Sequence, residues 1–525
     1  MPIQTAIITG TTPTSTGTKS FEEAGFGTPQ AVLIIFGGAN TTTNPESHSR
    51  IGYGCTDGTN ENYCTISSQN GKATSDTANA SSVTKCIGLI ETDGASSVIL
   101  EGGFDSWATN GITIDFTTAD TVAHDISIML IKGCTNVKAF SETLSTTGVN
   151  DITSIGFKGN LMYAWTVGET AVGMSNSAKL TFGAIHNNSS DVVSQGCIVH
   201  SNVHNQAASL LSGAIYNDAF IARHYWNATQ WKGSGGSFDA SGFSVDTGSD
   251  SPLSNLMFGL IMDTGDTDGV KVSIEASPTA TGDWSVTSTG FTPQSALLGQ
   301  TLFSAVNTIY SIDPVGAFGF GLFDDTNESF IGIAGDDADS GNTSEESIFS
   351  SANAVNLRGW NGSAFADRHV GSFSSMNANG YTINLPTTAD GTERQWLSVA
   401  IEEGVQTVTS DLSITLPSIN IAMYAGVAGA VGFSDSFNIA WNIANNSDFD
   451  TSWNIHNSES QSTSWNILNQ VTNDVAWNIS GGNDYNVAWF IDGRIPTPDV
   501  VFQSSHRNSI FKSTFRQSIF KAEKR

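Results

Sequence analysis

Short apolar runs recur along the first four-fifths of the chain, separated by clusters of Gly, Asn, Asp, Ser and Thr. Val32 to Phe36 is wholly apolar, whereas Gly111 to Phe116 and Ile126 to Ile131 mix apolar and polar positions with a period near two. β-Branched content and period-two alternation predict strands, and the polar clusters between them predict turns. Asn110-Gly111 and Asn379-Gly380 mark tight turns. No apolar stripe follows the 3.6-residue spacing of an amphipathic helix for three turns, so an all-β chain is expected.

The runs are organised as repeats, which decide the architecture. Gly25, Phe26, Pro29 and Gln30 lead into one apolar strand, and Gly290, Phe291, Pro293 and Gln294 lead into another. Ile51 to Glu61 aligns with Phe318 to Glu328, sharing Gly-aromatic-Gly and an Asp-x-Thr-Asn-Glu end. Two glycines on one strand face suit the close approach of a neighbouring sheet. Asn110 to Asp120 aligns with Asn379 to Asp390. A diverged copy lies between, carried by Ile155 to Phe157, Leu180 to Ala184, Ser241 to Asp246 and Leu256 to Ile261. Three copies of a sandwich-sized module, with a period of about 130 residues, account for residues 1 to about 405.

The pattern then changes. Trp441, Trp453, Trp465, Trp477 and Trp489 stand twelve residues apart, four of them within Trp-Asn-Ile. Alternation puts each Trp and the Ile two residues later on one strand face, which suits a buried ladder in a meander or solenoid better than an exposed sugar-stacking platform. The last segment has a nine-residue period: Phe502, Phe511 and Phe520, with Arg507, Arg516 and Arg525. So little apolar surface does not fold alone, and docking on another subunit is expected.

Charge sharpens this division. The chain has 21 Lys and Arg against 50 Asp and Glu, a formal net charge of −29. Six of those cations and a single acid fall within residues 507–525. The remaining body is strongly acidic and repels nucleic acid, so any electropositive contact belongs to the C-terminal segment. Docking of this segment on an acidic neighbour is preferred to DNA binding. No basic n-region precedes an apolar core at the N-terminus, and no apolar stretch suffices for a membrane span. Five cysteines without a CxxC pair make neither a disulfide framework nor a zinc module and read as buried thiols.

The Gly-Phe-x-Pro-Gln opening, the Gly-aromatic-Gly strand and the Asn-Gly-x-Thr-Ile close together resemble a β-sandwich module of tailed-bacteriophage virion proteins. The Trp-Asn-Ile dodecads and the Arg/Phe terminus are similar to C-terminal segments of phage tail or fibre proteins. The expected organisation is three tandem jelly-roll or lectin-like antiparallel sandwiches at 1–140, 141–280 and 281–405. A strand linker with twelve-residue repeats follows at 406–493, and an extended basic docking arm at 494–525. The resemblance implies a non-enzymatic virion component made in the host bacterial cytoplasm. A tail fibre or tail-associated protein for host-surface adhesion is the leading placement, and a capsid-decorating or head-fibre protein the second. Expected partners are other virion subunits, further copies of the chain (a trimer among the candidates), and a host-surface glycan or protein. Oligomerisation or docking falls to the five tryptophans with Phe502, Arg507, Phe511, Arg516, Phe520 and Arg525. The middle copy lacks the Pro-Gln opening and the Thr-Ala-Asp end, which puts in doubt there any ligand site made by those turns.

No cofactor is implied, and chemistry-bearing clusters are sparse. Asp263, Asp266 and Asp268, and separately Asp337 and Asp339, offer spaced oxygen ligands of the kind Ca²⁺ favours, but without an EF-hand pattern; Asx turns explain them as well. His200 and His204 have metal-like spacing without a zincin motif and read as surface polar residues. Asp324/Asp325 and Glu402/Glu403 are adjacent pairs whose side chains diverge on a strand, a poor start for the polysaccharide depolymerase that forms the enzymatic alternative.

Overall fold

The computed structural model describes residues 3–39, 44–91, 97–206, 211–225, 228–248, 254–311, 317–335, 343–360, 363–388 and 391–402, followed by the backbone of seven strands within 438–513. The described residues contain strands and no helix. Two compact units result, Met1–Asp411 and Leu412–Arg525, and each is described by itself.

The first unit consists of three sets of ten strands, running Gln4–Lys132, Asn136–Asp263 and Val270–Glu402, with an additional short strand, Glu46–Ser47 and Gly173–Asn176, left out of the numbering between the third and fourth strands of the first two. Within every set the larger sheet follows the order first, tenth, third, fourth, fifth, sixth, and the smaller sheet the order second, ninth, eighth, seventh. Pairing is antiparallel throughout. First with tenth and second with ninth make nested pairs, which fold each set into a two-sheet sandwich. The third strand of the first set shows why its sequence is a continuous apolar run. Val32, Ile34 and Phe36 pack into the interior of their own sandwich. Ala31, Leu33 and Ile35 face a second core to which all three sets contribute. A strand buried on both faces has no polar side to reveal its period.

At the centre of the shared core stand Tyr53, Phe182 and Phe320, one from the fourth strand of each set. Their ring centroids are 4.9, 5.1 and 4.9 Å apart, a nearly equilateral triangle that marks a pseudo-threefold axis. The glycine following each aromatic is dictated by proximity. A Cβ on Gly54, Gly183 or Gly321 would overlap the carbonyl oxygen of Cys86, Phe220 or Ala354, the residue just ahead of the seventh strand of its set.

Sheet edges are covered cyclically. The segment between third and fourth strands reaches out from each set: Glu46–Ser47 pairs with Glu345–Ser350 of the third set, and Gly173–Asn176 pairs with Thr77–Ser82 of the first. Tyr310 of the third set bridges Gly213 of the second. Each sixth strand, otherwise an open edge, thereby meets a neighbour. Near one end of the axis, a single carboxylate oxygen joins all three sets: Glu345 Oε1 accepts from Ser68 Oγ at 3.0 Å and from Asn202 Nδ2 at 2.9 Å.

The second unit is built differently. Asn438–Asn445, Ser462–Asn469, Asn486–Gly493 and Ser509–Ser513 form one sheet; Thr451–Asn457, Val475–Gly481 and Val501–Ser504 form another. All pairs are parallel and join alternate strands, so the chain winds as a solenoid with two strands per coil. Trp441, Trp465, Trp489 and Phe511 are successive Cα partners in one ladder, and Trp453, Trp477 and Phe502 in the other. The twelve-residue period is therefore half a coil. Two pieces of the expected arm, Val501–Ser504 and Ser509–Ser513, are rungs of these ladders. Burial of the Trp side chains, and Arg507, Arg516, Phe520 and Arg525, lie outside the described residues.

Candidate functional site

The best-developed polar geometry lies where the three sets meet, and it repeats around the axis. The residue before the first inward position of each third strand is an amide: Gln30, Asn160 or Gln294. Gln30 accepts from Cys134 N at 2.8 Å and donates to Cys134 O at 3.1 Å, holding the start of the second set. Asn160 accepts from Thr264 N at 2.9 Å and donates to Thr264 Oγ1 at 2.8 Å, holding the start of the third. Gln294 donates to Ile3 O at 3.0 Å and accepts from Thr5 N at 3.3 Å, holding the first. An amide carries a donor and an acceptor, so it imitates a stretch of backbone pairing. The third junction joins segments almost 300 residues apart with the chemistry of the two covalently continuous ones.

A second clamp sits at the end of each fourth strand. Asp57 Oδ2 accepts from Ala139 N at 3.0 Å, and Asp324 Oδ2 accepts from Ile7 N at 2.8 Å; both amides belong to the fourth residue of a first strand. In the middle set the position is His186, whose Nε2 lies 2.9 Å from Thr267 O. A carbonyl partner requires Nε2 to carry the proton. Burial holds the His186 pKa down to about 4, which keeps the ring neutral and a single donor at this nitrogen. Burial raises the Asp324 carboxyl, opposed by hydrogen bonds from the Asn327, Ile7 and Thr326 amides.

A third equivalent position supports the eighth strand at a bulge. Glu61 Oε2 accepts from Phe104 N at 2.7 Å, Glu328 Oε2 from Phe373 N at 2.6 Å, and Gln195 Oε1 from Gly235 N at 2.9 Å. The identities shared between residues 51–61 and 318–328 are thus explained by close packing at the glycines and by amides that need an acceptor. What the arrangement does chemically is join: the first two positions satisfy donors and acceptors across module boundaries, and the third does so between strands of one sandwich.

The singled-out carboxylates have local roles. Asp263 Oδ1 accepts from Gly265 N at 3.1 Å, Asp266 Oδ1 from Asp268 N at 3.0 Å, and Asp268 Oδ1 from Ser189 Oγ at 2.9 Å. Asp263 and Asp266 make Asx turns in the connection between the second and third sets, and Asp268 pins it to a neighbouring turn. No group of three or more His, Cys, Asp or Glu gathers into a metal site among the described residues. Asp337 and Asp339 lie outside them. The expectation that His200 is a surface residue is corrected: it is buried in the fifth strand of the middle set, its ring 5.0 Å from that of Phe318, and burial lowers its pKa to about 3. His204 Nδ1 accepts from Thr77 N at 3.2 Å instead of sharing a ligand with it. Asp324 is a buried clamp while Asp325 is exposed in the adjoining turn, so the two do not form a carboxylate pair. All five cysteines are free and buried.

The roles of Asn160, His186 and Gln195 escaped the sequence reading. Their signal was present as polar residues at the aligned positions of a copy judged by residue identity. The fold and its junctions define an all-β protein of three sandwiches closed around one core, carrying a separate parallel β-solenoid. No model of a known protein family matches the chain, and no curated protein matches it.

Proposed function

We propose that the chain is a non-enzymatic structural component of a tailed-phage virion, most simply a tail fibre or tail-associated protein presenting its three-sandwich body for host-surface adhesion. The observation that supports this reading is the repeated set of clamps, which devotes the best-built polar geometry of the body to holding its own three sandwiches together as a rigid scaffold. The solenoid and the basic C-terminal segment supply oligomerisation or anchoring, with other virion subunits or further copies as partners. An acidic body followed by a net-positive C-terminal segment suits a division between displayed surface and attachment device.

Imaging of particles carrying a labelled copy of this chain tests the placement. Label on tail appendages supports it, label over the capsid replaces it with the decorating role, and absence of label from particles overturns the virion reading. Release of reducing ends from host polysaccharide by the purified chain would overturn the non-enzymatic part. Deletion of 494–525, which also removes the solenoid strands Val501–Ser504 and Ser509–Ser513, is expected to leave a folded body that is less oligomeric and enters particles less, measured by light scattering and by particle composition; full oligomerisation and incorporation would remove the C-terminal segment from assembly.

A further inference from the structure

At one position of the seventh strand the middle copy carries a charge where both sister copies are apolar. The third residue of the seventh strand is Leu89 in the first set and Leu357 in the third, both completely buried. In the middle set it is Arg223, itself only 8 % exposed. Burying a guanidinium where two sister copies hold leucine is unfavourable unless its donors are used. Among the described residues its side chain makes one hydrogen bond, Nη1 to Asn255 Oδ1 at 2.9 Å.

A second buried cation stands beside it. Lys179 is 8 % exposed, and its Nζ lies 3.6 Å from Glu169 Oε1 and 5.7 Å from the ring centroid of Tyr225. Arg50 occupies the corresponding fourth-strand position in the first set, and there the charge is fully answered: its guanidinium meets Glu46 at 3.1 Å and Glu91 at 2.5 Å. Among the described residues, Lys179 and Arg223 share the single acidic partner Glu169. Burial, and the positive charge of Arg223, hold the Lys179 pKa below its ordinary value; burial does the same for Arg223. Counted over the described residues, the group thus carries one positive charge in excess inside a strongly acidic body. Beside Lys179 stand Glu169 and Tyr225, the latter one of the few large apolar side chains exposed among the described residues.

We propose that Lys179, Arg223 and Tyr225 form a binding niche for an acidic sugar, the two cations taking its carboxylate and the Tyr225 ring supporting its apolar face. The charge count favours a monoanion over a phosphate dianion, and a planar guanidinium suits a carboxylate. An aromatic ring at the rim is the usual partner for a face that is apolar in part. The proposal deepens the host-adhesion reading by naming the ligand class, and rests on it for its biological meaning.

The test is calorimetric titration of the full chain with D-glucuronate, D-glucose and inorganic phosphate. Saturable binding of glucuronate without binding of glucose is expected, with phosphate weaker. Arg223→Leu installs the residue of the sister copies, so it should fold with unchanged or raised Tm while weakening glucuronate binding by about tenfold or more. Tyr225→Ala, at an exposed position, should weaken it several-fold without moving Tm, and serves as the readout should Arg223→Leu fail to fold. Absence of glucuronate binding, equal binding by folded variants, or tighter binding of phosphate each overturns the proposal. Because the titration uses purified protein, its failure leaves the virion location to be decided separately by imaging.

Discussion

The middle sandwich and its two neighbours do the same structural work with different residues. Where the outer copies use Gln30 and Gln294, the middle uses Asn160; where they use Glu61 and Glu328, it uses Gln195. At the end of the fourth strand the change goes further, because Asp57 and Asp324 accept from an amide whereas His186 donates to a carbonyl. The difference teaches that each position is constrained by the polarity of its partner and not by residue identity. Amide and carboxylate oxygens are interchangeable acceptors, and a reversed partner calls for a reversed side chain. Arg223 is the counterexample, a polar substitution with no matching change of fold around it.

This equivalence is open to attack at several levels. The largest effect is expected at the axis, where Phe182→Ala and Phe320→Ala should each cost about 3–5 kcal/mol in chemical denaturation. A much smaller loss for Phe182 would mean that the middle copy is not an equal part of the shared core. Exchange of the reversed residue comes next. His186→Asp sets a carboxylate against the Thr267 carbonyl and should destabilise by about 1–3 kcal/mol, the cost of an unmade buried bond, although the same residue serves both neighbours. An unchanged denaturation midpoint would show that the partner's polarity does not select the residue.

The smallest effect concerns pH. Burial raises the pKa of Glu61 and Glu328 above 4.5, so the folded state favours their protonated forms. Their contribution is complete below the unfolded value and is lost as pH rises through the folded one. Replacing both by Gln, as in the middle copy, should flatten the decline in Tm between pH 4.5 and neutrality. Retention of the full slope in the double variant would place its origin elsewhere.

Much of the fold was legible because its signals are local. Strands followed from alternation and turn residues, and the close approach at Gly54 and Gly321 from two glycines on one face. A stacked strand-and-turn ladder followed from the Trp period, but only the parallel pairing of alternate strands chose the solenoid over a meander. Less of the junctions was legible. Pro29-Gln30 and Pro293-Gln294 stood out as a motif, but a motif does not say what its amide bonds, and the partners lie 104 and 291 residues away. Asn160, His186 and Gln195 were hidden because hydrogen-bond geometry preserves function across changes that erase identity. His200 misled for a similar reason: a histidine in a polar stretch gives no sign that a phenylalanine from another module will cover it.

By itself the sequence determined an all-β chain, a threefold repetition in the body, a twelve-residue ladder at the C-terminal end, and the separation of acidic body from basic terminus. These depend on composition and periodicity, which each segment carries alone. Only the tertiary structure decided that the three copies are not beads on a string. The apolar face left over on each larger sheet has no partner within its own sandwich, and the three faces bury one another around Tyr53, Phe182 and Phe320. Closing that ring is what turns Gln294 and Asp324 toward the first strand of the chain. It also sets Lys179, Arg223 and Tyr225 apart as the place where charge exceeds what the fold requires.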